Sequence, residues 1–159
     1  MSYIRYKNNN LFVENVSVRR LATKFSTPFY LYSESNIIEN YKSFSNNFKK
    51  SNPLICFSVK ANSNIQILKV LKKMGSGADV VSGGELLKAI KSGIQPSKIV
   101  FSGVGKTEEE IRLAIKRNIL LINVESENEA LLINKIAGNL KKKVAIGIRL
   151  NPDINAPTH

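Results

Sequence analysis

Lys60 stands directly behind an apolar run, in the segment Leu54-Ile-Cys-Phe-Ser-Val-Lys-Ala-Asn62. If that run is a buried strand, the lysine sits at its C-terminal end, where α/β barrels gather their catalytic groups. Desolvation there disfavours the ammonium form and lowers its pKa. A neutral amine condenses with an aldehyde to give a Schiff base. The competing reading is a turn lysine pointing into water, and position alone leaves both standing. Asp79, one of two aspartates in the chain, falls within the run Ala78-Asp-Val-Val81. A carboxylate in a buried parallel strand has to be hydrogen-bonded or ion-paired. Arg149, at the end of Ile146-Gly-Ile-Arg-Leu150, is a candidate partner across the mouth of a barrel. Alternatively, Asp79 caps backbone amides and Arg149 faces solvent.

Other suggestive residues carry less. Phe101-Ser-Gly-Val-Gly-Lys-Thr107 has the look of a phosphate loop, but G-x-x-x-x-G-K-[ST] requires glycine where Val100 stands. Glu108, Glu109 and Glu110 follow at the helix start, where they complement the dipole and would repel a phosphate. Gly75, Gly77, Gly83 and Gly84 flank the Asp79 strand and allow either close approach of a ligand or tight turns. Cys56 is the only cysteine, so it makes neither an internal disulfide nor a zinc site of its own. His159, the only histidine, is the final residue and receives no role.

The elements that must position these groups repeat as strand then helix. Predicted strands are Leu54–Val59, Ala78–Val81, Ile99–Phe101, Ile119–Val124 and Val144–Leu150. They are almost continuously apolar, as parallel strands buried on both faces are. Between them, apolar residues recur at three- and four-residue spacing, giving each helix one stripe to lay on a sheet. Ser82/Glu85, Thr107/Glu110 and Ser126/Glu129 each match the S/T-x-x-E capping box. Lys60, Val81 and Ser102 are spaced 21 residues apart, and Val124 comes 22 later. Such a period predicts a barrel or a doubly wound sheet. Five strands fall short of the eight, in about 250 residues, that close a barrel of this kind. The chain is therefore read as a fragment of a longer protein. Ahead of these elements the sequence predicts a strand at Leu11–Val13, a helix carrying Val18, Leu21, Ala22 and Phe25, and a strand at Phe29–Tyr32. A long helix starting near Ser33 follows.

With 159 residues, 43% apolar and 23% charged, the chain has ordinary globular composition. Runs such as Ile119–Ile122 are too short to span a bilayer. The start, Met1-Ser-Tyr-Ile-Arg5 onward, lacks the apolar core of a signal peptide. The expectation is a soluble, cytoplasmic protein without membrane partners. A net charge of +12 raises the question of nucleic acid. The lysines, however, are spread one to three per helix, and the compact run Lys141–Lys143 has no interleaved aromatics, so nucleic-acid binding is not expected.

Five segments together are similar to the diaminopimelate decarboxylase family. They are Cys56–Asn64, Gly75–Leu86, Ile99–Thr107, Asn123–Glu127, and Arg149–Asp153 followed by Thr158-His159. That family lies within the alanine-racemase-like group of pyridoxal 5'-phosphate enzymes. The Lys60 motif alone would equally fit ornithine- and arginine-type decarboxylases. The Phe101–Thr107 segment and the double glycine before Glu85 favour the diaminopimelate branch. The resemblance implies an α/β fold: a pyridoxal-phosphate-binding (β/α)8 barrel of which about the first five strands are present, at residues 34–159. Residues 1–33 would then be a segment that packs with a C-terminal β domain. It further implies decarboxylation of meso-2,6-diaminopimelate to L-lysine, with Lys60 as the catalytic lysine that holds the cofactor and Asp79 and Arg149 beside it. A homodimer with shared active sites is implied too, as are further site residues beyond position 159, so that the 159 residues alone would be inactive and poorly folded. The other readings are a related ornithine- or arginine-type decarboxylase and a non-catalytic barrel that binds the cofactor.

Overall fold

The computed structural model describes residues 3–152 and residue 154. Asp153, Thr158 and His159 lie outside the described residues. The chain divides into two compact units, Met1–Pro53 and Leu54–His159.

The first unit opens with three antiparallel strands, β1 (Ile4–Lys7), β2 (Asn10–Val13) and β3 (Val16–Ser17), in that order. Asn8 and Asn9 connect β1 to β2 with φ of 48° and 57°. Positive φ at both central residues is what a type I′ hairpin turn demands, and asparagine tolerates it. Helix α1 (Val18–Lys24) follows, capped by Ser17, and α2 (Glu34–Asn46) is capped by Ser33. Phe25 is the C-cap of α1, 55% exposed, not part of an apolar helix face. Residues 29–32 form no strand: no described strand pairs with them, Pro28 lacks an N–H to donate, and Tyr30 is 90% exposed. Neither helix buries a side chain. The Glu14 carboxylate accepts from the Ser33 hydroxyl at 2.6 Å and the Ser35 N–H at 3.0 Å. These bonds, the Ser33 one foremost, hold it below the usual carboxylate range.

In the second unit five parallel strands, β4 (Cys56–Ser58), β5 (Gly77–Val80), β6 (Ile99–Phe101), β7 (Leu121–Val124) and β8 (Ile146–Ile148), neighbour one another in chain order. Helices α3 (Ile65–Lys73), α4 (Gly83–Lys91), α5 (Glu108–Arg117) and α6 (Glu127–Asn139) connect them. A doubly wound sheet reverses its strand order at a switch point. This one never does, so it is the singly wound, barrel type.

Strands β5–β7 are buried on one face and the edge strands β4 and β8 bury no residue, so the burial expected on a second face is not supplied among the described residues. Ala78, Val80, Ile99, Phe101, Ile122 and Val124 are buried, forming the core with Leu68, Leu86, Ile111 and Ile133 of the helices. The alternate residues Asp79, Val100, Leu121 and Asn123 are half-exposed on the other face. Successive side chains of a strand point to opposite faces, so the helices lie on the first face and the second stays open.

All three predicted caps form: Ser82, Thr107 and Ser126 each accept from the N–H three residues on. Only Thr107 completes the reciprocal box, receiving Glu110 on its own N–H at 3.0 Å. Glu85 and Glu129 instead reach one residue further back, to the N–H groups of Val81 and Glu125. The cap backbone explains the difference, for Ser82 and Ser126 are fully extended with φ near −154° and −155°, whereas Thr107 has φ −76°.

The Glu110 carboxylate also takes the Gly83 N–H at 2.7 Å, tying the start of α5 to that of α4. The Gly83 and Thr107 N–H groups, in that order, lower its pKa. A carboxyl depressed in the folded state contributes stability above the ordinary carboxylate range and loses it as the pH falls through the lowered value. Glu110→Gln is therefore expected to melt lower than the parent at neutral pH, with the gap narrowing in acid, as thermal scans across pH would show.

Gly77 begins β5 against two fixed neighbours. A Cβ there would lie 2.3 Å from the Lys98 carbonyl oxygen and 2.7 Å from Cys56 Sγ. Backbone cannot swing aside, so Gly77→Ala should cost about 2 kcal/mol, the scale of overpacking, visible as a lowered melting temperature.

Candidate active site

A cleft of about 440 Å³ opens at the carboxyl ends of the five parallel strands. It is lined by Lys60, Asp79, Val81, Ser102, Gly103, Asn123, Glu125, Ile148 and Arg149. All three residues singled out in the sequence, Lys60, Asp79 and Arg149, thus face one space.

Lys60 is reached from β4 through a single 3-10 turn, Val59–Ala61, in which Val59 is fully buried and anchors the turn. Lys60 itself is exposed. The burial expected of it is not supplied among the described residues, because the sheet face it stands on is the open one.

Asp79 projects from β5 onto that open face, half-buried. Its partner is a hydroxyl, not a guanidinium: Ser102 Oγ–H donates to Asp79 Oδ1. The Asn123 amide in turn donates to Ser102 Oγ at 3.0 Å. The two hydrogen bonds form a chain from β7 across the end of β6 to β5. The proposed Asp79–Arg149 pair does not form. Arg149 meets Glu125 at 3.3 Å with 57% of its side chain exposed. Such exposed pairs are worth roughly 0–1 kcal/mol, so the guanidinium can exchange its partner for an anion in the cleft at little cost. Burial first, then the Asp79 charge, push the Cys56 thiol above its ordinary pKa, which keeps it protonated and poorly nucleophilic.

Lys106, the lysine of the segment that resembles a phosphate loop, has its side chain fully buried. Its ammonium donates to the carbonyls of Gly103 and Asn123, both at 2.7 Å, and to Glu129 Oε1 at 3.0 Å. With all three hydrogens committed internally, it has none to offer a phosphate. It fastens the loop after β6 to the end of β7 and the start of α6.

Ser102, Asn123, Glu125 and Lys106 were not among the candidate site residues of the sequence. One signal could have found Asn123. The 21-residue step through Lys60, Val81 and Ser102 lands on position 123, a polar residue in an apolar strand, rather than on Val124. The β6–β7 register agrees, pairing Phe101 with Ile122. Among the described residues, no three His, Cys, Asp or Glu side chains gather to hold a metal, and no helix is long and apolar enough to cross a membrane.

Residues 34–159 match the family described as pyridoxal-dependent decarboxylase, pyridoxal binding domain. The diaminopimelate decarboxylase of Aquifex aeolicus is 48% identical over 157 residues, covering 99% of this chain and 37% of that protein. The crystal structure of diaminopimelate decarboxylase from M. jannaschii in complex with L-lysine superposes with a TM-score of 0.91 at 39% identity, over 96% of this chain and 36% of that one. The enzyme from Helicobacter pylori complexed with L-lysine gives a TM-score of 0.86 at 48% identity, over 89% of this chain and 36% of that one. The chain thus spans little more than a third of the relatives it matches. The family match covers the whole singly wound parallel sheet and the helices packed on it: the chain belongs to the pyridoxal-dependent decarboxylases, as part of their pyridoxal-binding domain.

Proposed function

We propose that the complete protein is a diaminopimelate decarboxylase, a carboxy-lyase that converts meso-2,6-diaminopimelate to L-lysine and carbon dioxide. The observation that carries this reading is the single cleft shared by Lys60, Asp79 and Arg149 in a chain 48% identical to a protein of that name. The donor set fits pyridoxal phosphate: one amine for its aldehyde, a carboxylate to balance positive charge, and a guanidinium for an anionic oxygen. When bound, the cofactor supplies the electron sink for the pair left behind as carbon dioxide departs. Lys60 Nζ would hold the cofactor through its aldehyde and, as an amine in the cleft, could take up or release a proton there. Asp79, with Oδ1 occupied by Ser102, offers Oδ2 to the cleft. Arg149, whose exposed pair with Glu125 is readily exchanged, would hold an anionic oxygen of the cofactor. Val81 and Ile148 supply apolar wall beside these groups.

The same proposal includes a cytoplasmic homodimer with shared active sites, and a division in which residues 1–33 pack with a β domain while 34–159 belong to the barrel. The exposed Tyr6, Phe25 and Tyr30, in a unit whose helices bury no side chain, support a further packing partner for that segment.

The deciding experiment supplies the complete protein and pyridoxal phosphate with meso-diaminopimelate, ornithine or arginine and measures carbon dioxide. Release from diaminopimelate alone, with L-lysine formed, is expected. Release from ornithine or arginine would move the protein to that branch. Cofactor absorbance without release from any of the three would make it a non-catalytic binder.

A further inference from the structure

The Asn123 amide occupies space that exists because residue 147 is glycine. Asn123 and Gly147 are register partners across β7 and β8, so a side chain at 147 would stand on the same sheet face as that of Asn123. A Cβ there would lie 2.4 Å from Asn123 Oδ1, but 3.5 Å from Leu121 Cδ1 and 3.6 Å from Asn123 Cγ. The conflict is with the amide oxygen alone. Backbone conformation does not call for glycine, since Gly147 is absent from the positive-φ residues. A glycine inside a strand is otherwise a weakness, and it often marks a close approach.

What the missing Cβ preserves is a directed chain of hydrogen bonds. Asn123 donates into Ser102 Oγ, and the single hydroxyl hydrogen of Ser102 goes to Asp79 Oδ1. Without the amide the hydroxyl is free to rotate away, and Asp79 loses the partner that fixes its orientation toward the cleft. We propose that Gly147, Asn123 and Ser102 are positioning residues that hold the Asp79 carboxylate for the cofactor on Lys60, Gly147 by leaving room for the Asn123 amide. This rests on the assignment of the cleft as the pyridoxal phosphate site.

The test uses variants of the complete protein, titrated with pyridoxal phosphate by absorbance and melted without it to check folding. Borohydride reduction and peptide mapping of the parent come first. A label away from Lys60 overturns the cofactor assignment and this inference with it. With the label on Lys60, Gly147→Ala and Asn123→Ala should each weaken cofactor binding on the order of tenfold, ~1.4 kcal/mol. The double variant should bind no more weakly than Asn123→Ala alone, because the new Cβ then meets nothing nearer than Leu121 at 3.5 Å. Ser102→Ala should weaken binding similarly and Ser102→Thr, which keeps the hydroxyl, should restore it. Effects that add in the double variant, parental affinity in Gly147→Ala, or equal affinity in the two Ser102 variants would each overturn the inference while leaving the cofactor assignment intact. If Gly147→Ala does not fold, Asn123→Ala and the Ser102 pair decide it.

Discussion

Lys60→Ala is expected to abolish covalent attachment of pyridoxal phosphate and to lower decarboxylation by at least about a thousandfold, within the range that a positioned proton-transfer group contributes. The exposed side chain contributes no packing, so the melting temperature of the cofactor-free protein should stay within error of the parent. Borohydride reduction followed by peptide mapping reads the attachment directly, and activity with the melt reads the rest. Lys60→Arg should be equally inactive, since a guanidinium stays protonated and cannot act as the amine nucleophile. A variant at position 60 that retained full turnover would remove the central residue of the proposed site.

The second large effect concerns stability. Lys106→Met removes the one ammonium that answers two carbonyls and the Glu129 carboxylate, all within 3.0 Å of Nζ. Deleting one partner of a buried pair strands the other charge, a loss of about 3 kcal/mol. Glu129 retains the Glu125 N–H through its second oxygen, which holds the loss to the low end of that class. Lys106→Arg should not restore stability, because the three acceptors converge on a single nitrogen and a planar fork cannot match them. Chemical denaturation of the complete protein measures both. If Lys106 were a phosphate ligand instead, its loss would weaken cofactor binding and leave the cofactor-free protein as stable as the parent.

Much of the second unit was legible because its signals are local. Thr107 and Glu110, or Ser126 and the apolar Ile133 and Ile136, announce a helix from within a dozen or so residues. The first unit showed its middle strand, read at Leu11–Val13 and found as Asn10–Val13, and hid the other two. Ile4–Lys7 is exposed at all four positions and β3 is two residues long, so no alternation marks them. The adjacent asparagines at 8 and 9 were the available turn signal. Asp79 was conspicuous as an acid in a strand, yet its partner was not. An arginine and backbone amides were the partners in view, but at a half-buried position a hydroxyl and the remaining solvent suffice. Ser102 gave no composition anomaly of its own and became meaningful only through its neighbours in register. The openness of one sheet face was equally invisible, since Val100 and Leu121 are as apolar as the strand residues that are buried.

The strict chain-order adjacency of β4 to β8 bears on how the molecule comes into being. Each new strand finds its mate in the one made just before it, so every pairing closes a loop of similar, modest length and none waits for a distant segment. Such a layout keeps each parallel pairing as local as a crossover helix allows. Chains fold from the N-terminal side as they are synthesised, and here each strand–helix repeat can settle onto a finished neighbour as it leaves the ribosome. At every stage of that growth one unsatisfied edge stays behind on β4 while the other moves outward with the newest strand, ready to template the next.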